Sequence, residues 1–180
     1  AFCPSGRMHA LAILDEKILI DAPPTLLAQL RISNISTGQV EHILFTHWHG
    51  DHAFGFPFLI LDRKYITDTS ASKTLALHHR PGGREYLTSL SKLGFPGSLE
   101  DFLESRIFWN DEESGILEGT EWSYERFPVR HTPETDPHGY EFVHQSGFRL
   151  LHCGDSGPCS EIDSRAKDAD VVLLEMGMPD

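Results

Sequence analysis

The segment Thr46-His47-Trp48-His49-Gly50-Asp51-His52 constrains the fold more than any other part of the sequence. Alternate side chains of an extended chain point to the same side, so His47 and His49 can bind one metal ion together. If a helix begins at Asp51, then Asp51 and His52 project toward a neighbouring position where a second ion can bind. Imidazole and carboxylate donors suit zinc, with manganese and iron as alternatives. The segment therefore predicts a strand that ends at two divalent metal ions, with zinc the first candidate.

Two ligands for each ion are too few, so this interpretation requires further donors downstream. His131 follows the predicted strand that ends at Arg130, and Asp155 follows an apolar strand that ends at Cys153. Loops just beyond strand ends are where an α/β enzyme carries its functional side chains. We therefore expect His131 and Asp155 to join the cluster at 47–52. His138 could contact substrate, although a solvated loop is the simpler interpretation for it.

Short apolar segments alternate with helical ones, which indicates an α/β fold rather than a β-sandwich. Predicted strands occupy residues 17–21, 42–46, 64–67, 74–78, 121–130 and 171–175, and residues 139–144 and 148–153 form a hairpin. Predicted helices occupy residues 23–30, 53–61, 85–93 and 98–106. No repeat or linker interrupts this pattern, so we expect a single domain over residues 1–180.

Composition argues against several classes of protein. The net charge of −12 disfavours nucleic acid held on a general basic surface, because such binding relies on Lys and Arg against phosphate; bound metal ions would nevertheless invert the potential of a site. Cys3, Cys153 and Cys159 are too few for a disulfide framework and favour reduced thiols. No stretch approaches the roughly 20 apolar residues of a membrane span. We therefore expect a cytoplasmic protein with no membrane partner, for which nucleic acid is a disfavoured ligand.

Residues 46–52 resemble the HxHxDH signature of the metallo-β-lactamase superfamily, and Gly55 falls where those proteins often carry glycine. The segment Leu19-Ile20-Asp21 is similar to the strand and aspartate ahead of that signature. His131 is similar to the third histidine of the family, and Gly154-Asp155-Ser156 to its bridging aspartate. The resemblance implies a metallo-β-lactamase-like αββα sandwich, with mixed sheets and outer helices.

The same resemblance implies a role for each candidate ligand. The first metal would be held by His47, His49 and His131, and the second by Asp51 and His52, with Asp155 bridging the two. The family supplies a last histidine to the second metal, and no histidine follows His152 in this sequence. We therefore expect a C-terminal segment to be absent from it.

The expected activity is hydrolysis, because two neighbouring ions would lower the pKa of a shared water and present hydroxide as the nucleophile. Asp51 is the candidate to orient that water and accept its proton. Residues 81–83 and 173–175 resemble the branch that contains tRNA 3′-processing endonucleases and small phosphodiesterases. The interval between His131 and Asp155 is too short for the long insertion of the endonucleases, which favours a small-molecule substrate, an anionic phosphodiester.

Two alternatives stay open at this point. Carboxylic esters, lactones and β-lactams are hydrolysed on the same metal motif, so the motif alone does not choose the substrate. A catalytically silent metal-binding domain that kept the fold is the alternative from a different functional class. A homodimer is compatible with the sequence.

Overall fold

The computed structural model describes residues 7–70 and 72–175 of the chain, and within them the chain divides into two compact units. The first unit contains the residues up to Phe45 and residues His49–Asp111, and the second contains Thr46–Trp48 and the residues from Glu112 onward. Cys3 lies outside the described residues. Across the described part of the chain, no helix combines the length and the hydropathy that crossing a membrane requires.

The first unit is built on a five-stranded mixed sheet. Its strands, in spatial order, are β1 (Ala12–Leu14), β2 (Ile18–Ile20), β3 (His42–Leu44), β4 (Leu75–His78) and β5 (Ile107–Asn110). Strand β1 is antiparallel to β2, and all other neighbours are parallel. Strands β2 and β3 are buried at every position, as expected for the central strands of a parallel sheet. The register pairs Ile20 with Leu44, so strands β2 and β3 end at the same edge of the sheet.

Five helices accompany this sheet within the described residues: α1 (Leu26–Ile32), α2 (Gly50–Ala53), α3 (Phe56–Asp62), α4 (Gly83–Gly94) and α5 (Glu100–Ser105). The strand predicted at 64–67 is wrong, because Arg63–Thr67 is a π-helical segment that continues α3. The side chain of Arg63 is fully buried and donates hydrogen bonds to the carbonyl oxygens of Thr37 and Val40. These tertiary contacts override the strand propensity of the residues that follow.

The second unit contains another five-stranded mixed sheet and a sixth helix. Its strands, in spatial order, are β10 (Val171–Leu173), β9 (Arg149–His152), β8 (His138–His144), β7 (Trp122–Pro128) and β6 (Ser114–Ile116), and helix α6 is Ser160–Arg165. Strands β6 to β9 are antiparallel, and β10 runs parallel to β9. The predicted hairpin is confirmed as β8 and β9, and the predicted α/β class with mixed sheets is confirmed as well.

Helix α6 packs on the sheet of the second unit through a small apolar core. Phe127, Leu151, Cys153 and Ile162 form this core and are all buried. At the end of the helix, the guanidinium of Arg165 lies over the Phe127 ring and donates hydrogen bonds to carboxylates on β7 and β8. The chain segment between β9 and α6 is therefore fixed at both ends, and Asp155 lies in that segment.

Candidate metal centre

In the second unit, three candidate ligands from distant positions in the sequence meet. A ring nitrogen of His47 lies within 4.8 Å of a ring nitrogen of His131, and within 4.8 Å of a carboxylate oxygen of Asp155. The imidazole rings of His47 and His131 stand nearly perpendicular, with their centroids 5.0 Å apart. His47 is buried, with 1% of its surface exposed. The spacing and the types of these donors suit a divalent metal ion.

Backbone hydrogen bonds align the segment around His47 with the loop that begins at His131. The N–H of Trp48 donates to the carbonyl of Thr135 at 3.1 Å, and the N–H of His138 donates to the carbonyl of Thr46 at 3.0 Å. His47 thus lies between two main-chain bonds to the same loop. This pairing explains how His131 comes to lie beside His47.

The structure overturns the expectation that His138 belongs to a solvated loop. His138 is the first residue of β8 and is 1% exposed. Its ring contacts the hydroxyl of Tyr140 at 3.2 Å through Nε2 and the carbonyl of Asp136 at 3.1 Å through Nδ1. The hydrogen bond from the N–H of His138 to the carbonyl of Thr46 fixes this residue in the interior. The polar contacts of its ring offset the free-energy cost of burying the imidazole.

The loop that carries Asp155 is held beside the other two loops. The N–H of Gly157 donates to the carbonyl of Arg130, next to His131, at 2.7 Å. Gly154 has a φ of +59°, and a Cβ there would lie 3.1 Å from the carbonyl oxygen of His138 and 3.2 Å from Cβ of Thr46. The close approach and the left-handed backbone together require glycine at this position. The residue before Asp155 therefore packs directly on the motif segment.

In the first unit, a ring nitrogen of His52 lies close to a carboxylate oxygen of Asp51. Nε2 of His52 lies 3.7 Å from Oδ2 of Asp51. A zinc–nitrogen and a zinc–oxygen distance sum to about 4.2 Å, so one ion fits between the two atoms. Burial raises the pKa of Asp51 and the charge of His52 lowers it, and the resulting pKa lies below the usual value. The carboxylate is thus ionised at neutral pH, as a metal ligand must be.

His49 lies where the extended segment becomes helical. Its backbone is extended, with φ −66° and ψ 148°, and it is the N-cap of α2, which begins at Gly50. The expectation that a helix begins near Asp51 is therefore confirmed. The candidate ligands fall into two sets, with His47, His131 and Asp155 in the second unit and His49, Asp51 and His52 in the first. The chain passes from one set to the other between Trp48 and His49.

The structure adds Asp21 to the candidate site. Asp21 follows β2, is 3% exposed, and accepts a hydrogen bond from Nδ1 of His52 at 2.8 Å. The family resemblance of Leu19-Ile20-Asp21 includes this aspartate but assigns it no role. The available signal is chemical: a carboxylate directly after a fully apolar strand is buried, and a buried carboxylate needs a partner.

Known proteins resemble this chain in both sequence and structure. The family described as "Beta-lactamase superfamily domain" matches residues 16–180. Ribonuclease Z of Salinispora arenicola is 30% identical over 76% of this chain and 42% of its own length, and ribonuclease Z of Oenococcus oeni is 27% identical over 94% and 54%. The chain thus spans about half the length of these curated relatives.

Solved structures show the same fold. The crystal structure of the short form of human tRNase Z has a TM-score of 0.68 and 22% identity, and the alignment covers 96% of this chain and 73% of that one. A metallo-beta-lactamase fold protein of Bacillus subtilis, YhfI, has a TM-score of 0.69 and 12% identity, over 95% of this chain and 65% of that one. These likenesses confirm the predicted metallo-β-lactamase fold.

The prediction that disfavoured nucleic acid and preferred a small-molecule substrate is wrong. Two relatives matched over 76% and 94% of this chain are named ribonuclease Z, so RNA is the substrate class in their names. The prediction relied on the short interval between His131 and Asp155 and on the net charge of −12, which averages over the whole surface. The local potential of a metal site is set by the cations it holds, so the average charge was the wrong quantity to use.

Proposed function

This chain belongs to the beta-lactamase superfamily, and on that premise we propose that it is a metal-dependent phosphodiester hydrolase of the cytoplasm that cleaves RNA. One observation carries the proposal: His47, His131 and Asp155 come from three separate loops, and His47 approaches each of the other two within 4.8 Å. Two imidazoles and a carboxylate at this spacing form a donor set that suits a divalent metal ion such as zinc.

We assign two divalent ions to the site, with zinc as the first candidate. The first ion would be held by His47, His49 and His131, the second by Asp51 and His52, and Asp155 would bridge them. The inclusion of His49 is supported by chain geometry, because it follows His47 by two positions along an extended backbone and so faces the same side. The inclusion of Asp51 with His52 is supported by the 3.7 Å separation of their donor atoms.

The protein side chains would position these ions and the water that attacks. When bound, the ions lower the pKa of a coordinated water and neutralise charge on the phosphoryl group. Asp51, an ionised carboxylate, would orient the water and accept its proton. Asp21 holds the ring of His52 in one orientation through Nδ1, and the hydroxyl of Thr46 contacts Nδ1 of His47 at 3.0 Å. Both contacts favour Nε2 as the nitrogen that binds metal.

RNA is the substrate class that the relatives support. Two proteins named ribonuclease Z match 76% and 94% of this chain. The chemistry agrees, because a pair of cations complements the negative charge of a phosphodiester and of its transition state.

The experiment combines metal analysis with cleavage of a 5′-labelled single-stranded RNA oligonucleotide. We expect two zinc ions per chain by elemental analysis, and RNA cleavage that is lost on chelation and restored by zinc. His131→Ala should lose at least one ion and nearly all cleavage. His144→Ala is the matched control, because this histidine of the same unit is engaged with Ser146 and Glu121, and it should retain both ions and full activity.

Other outcomes would decide against the proposal. Turnover of a lactone or of nitrocefin with intact RNA would identify a carboxylic ester or amide hydrolase on the same metals. Two bound ions with no turnover of any of these substrates would identify a catalytically silent metal-binding domain. Full metal content in His131→Ala would refute the ligand assignment itself.

A further inference from the structure

Phe54 presents a large apolar ring to solvent directly beside the metal motif. Half of its surface is exposed. The ring rests on Gly50, since a Cβ at that glycine would lie 2.6 Å from the ring. Gly50 stands between His49 and Asp51 in the sequence, so the ring covers the backbone that joins two proposed metal ligands.

The backbone on both sides of Phe54 is fixed. The carbonyl of His52 accepts a hydrogen bond from the N–H of Ala22 at 2.7 Å, and the N–H of Gly55 donates to the carbonyl of Ala22 at 2.8 Å. Gly55 is packed so closely on the loop after β2 that a Cβ there would lie 2.0 Å from the carbonyl oxygen of Pro23. Phe54 lies between these two residues, so its backbone is fixed, and its ring lies over Gly50 with half of the side chain exposed.

We propose that Phe54 forms a wall of the substrate site and stacks on a nucleobase next to the scissile phosphodiester. This inference rests on the proposed function and adds to it a residue that contacts the base. A rigid aromatic ring is the group with which proteins bind unpaired bases, and such stacking tolerates any base because every base has a flat face. An aromatic side chain has only two rotatable bonds, so it also loses little conformational entropy on binding.

Phe58 provides a matched control. It lies one helical turn later, on α3, and its exposure is 51%, almost the same as that of Phe54. Its ring packs edge-on against Phe95, with centroids 5.1 Å apart. Exposure and apolarity are thus the same at the two positions, and contact with the motif backbone distinguishes Phe54.

The test compares Phe54→Ala, Phe54→Trp and Phe58→Ala on two single-stranded RNA substrates. One is intact, and the other lacks the bases on both sides of the cleavage site. We expect Phe54→Ala to lower kcat/KM on intact RNA by roughly 10- to 100-fold and to change it by less than about threefold on the abasic RNA. Phe54→Trp should retain cleavage of intact RNA, and Phe58→Ala should match the wild-type protein on both substrates. Elemental analysis of each variant should give the wild-type metal content.

An equal loss on both substrates, no loss on either, or loss of metal from Phe54→Ala would overturn the inference and leave the proposed function intact. Failure of the wild-type protein to cleave either RNA would overturn both.

Discussion

The carboxylate of Asp21 accepts a hydrogen bond from Nδ1 of His52 at 2.8 Å, and both side chains are buried. The bond defines the tautomer of His52, because an ionised carboxylate only accepts and Nδ1 must carry the proton. Nε2 is then the basic nitrogen, and it lies 3.7 Å from Asp51. Asp21 keeps this position in a left-handed backbone conformation, with φ +68°. Such a conformation costs a residue with a side chain about 1–2 kcal/mol, so the surrounding structure must enforce it.

Asp21→Asn should weaken metal binding. Asparagine tolerates the left-handed backbone and keeps the size of the side chain, so the fold should be retained. The loss of negative charge makes Nε2 of His52 a poorer ligand, and we expect metal affinity to fall about 10- to 100-fold. Competition with a chromophoric zinc chelator measures this affinity. Unchanged affinity, with a thermal unfolding midpoint like that of the wild-type protein, would show that Asp21 has only a structural role.

Gly55→Ala should destabilise the protein severely. The added methyl group would lie 2.0 Å from the carbonyl oxygen of Pro23, and main-chain atoms cannot yield as a flexible side chain can. We expect a loss of more than about 2 kcal/mol in the free energy of unfolding, measured by urea denaturation. Gly94→Ala is the control, because a Cβ at this last residue of α4 would meet Cβ of Pro57 at an ordinary 3.8 Å. A tolerated Gly55→Ala would mean that the loop after β2 is not packed as described.

Cys153 should react with iodoacetamide much more slowly than Cys159. Cys153 is fully buried, and burial, followed by the charge of Cys159, raises its pKa to about 11. Because the thiolate is the reactive form, Cys153 stays protonated at pH 8 and becomes reactive only as the pH rises toward that pKa. Peptide mass spectrometry after timed alkylation distinguishes the two cysteines. Equal rates in the folded protein, rather than only after denaturation, would contradict this prediction.

Arg165→Ala should destabilise the second unit more than Arg149→Ala. Arg165 donates to Glu141 and to Glu125 and stacks on the Phe127 ring, and its side chain is 20% exposed. Arg149 donates to the same Glu141 but is 42% exposed. With screening by solvent taken into account, we expect losses of about 1–2 kcal/mol for Arg165 and about 0–1 kcal/mol for Arg149. Equal midpoints in urea denaturation for the two variants would show that Arg165 does not anchor α6.

The sequence predicts the parts of the fold that depend on local pattern. Strands β2, β3 and β7 and the hairpin of β8 and β9 occur where predicted. Continuous apolar runs mark β2 and β3, and alternation marks β7, and both patterns can be read from the sequence. The pattern does not predict strands β1, β5 and β6 or helix α6. The strand predicted for residues 64–67 is wrong. Their helical conformation depends on the burial of Arg63 against the carbonyl groups of Thr37 and Val40, which are contacts that no local pattern encodes.

The candidate site also has a part that local sequence pattern predicts and a part that depends on tertiary contacts. The spacing of His47 and His49 already indicates a shared side, and the helix after them follows from the same segment. The approach of His131 to His47 depends on main-chain bonds that involve Thr46, Trp48 and the loop after His131, so only family resemblance could anticipate it. The same bonds bury His138, which pattern alone assigned to solvent. The roles of these histidines as metal ligands stay predictions until metal is measured.

The loop from His131 to His138 is attached to the motif by two main-chain hydrogen bonds, at Trp48 and at Thr46, and by the contact between the rings of His131 and His47. Thr135 contributes a carbonyl and His138 an N–H to these bonds, and neither group depends on the side chain, so the exposed side chains of Thr132 and Glu134 can be exchanged while both bonds are kept. The side chains that this loop presents to a substrate can therefore change while the proposed metal ligands keep their positions. A library of variants confined to these positions would alter substrate preference without changing the metal ligands.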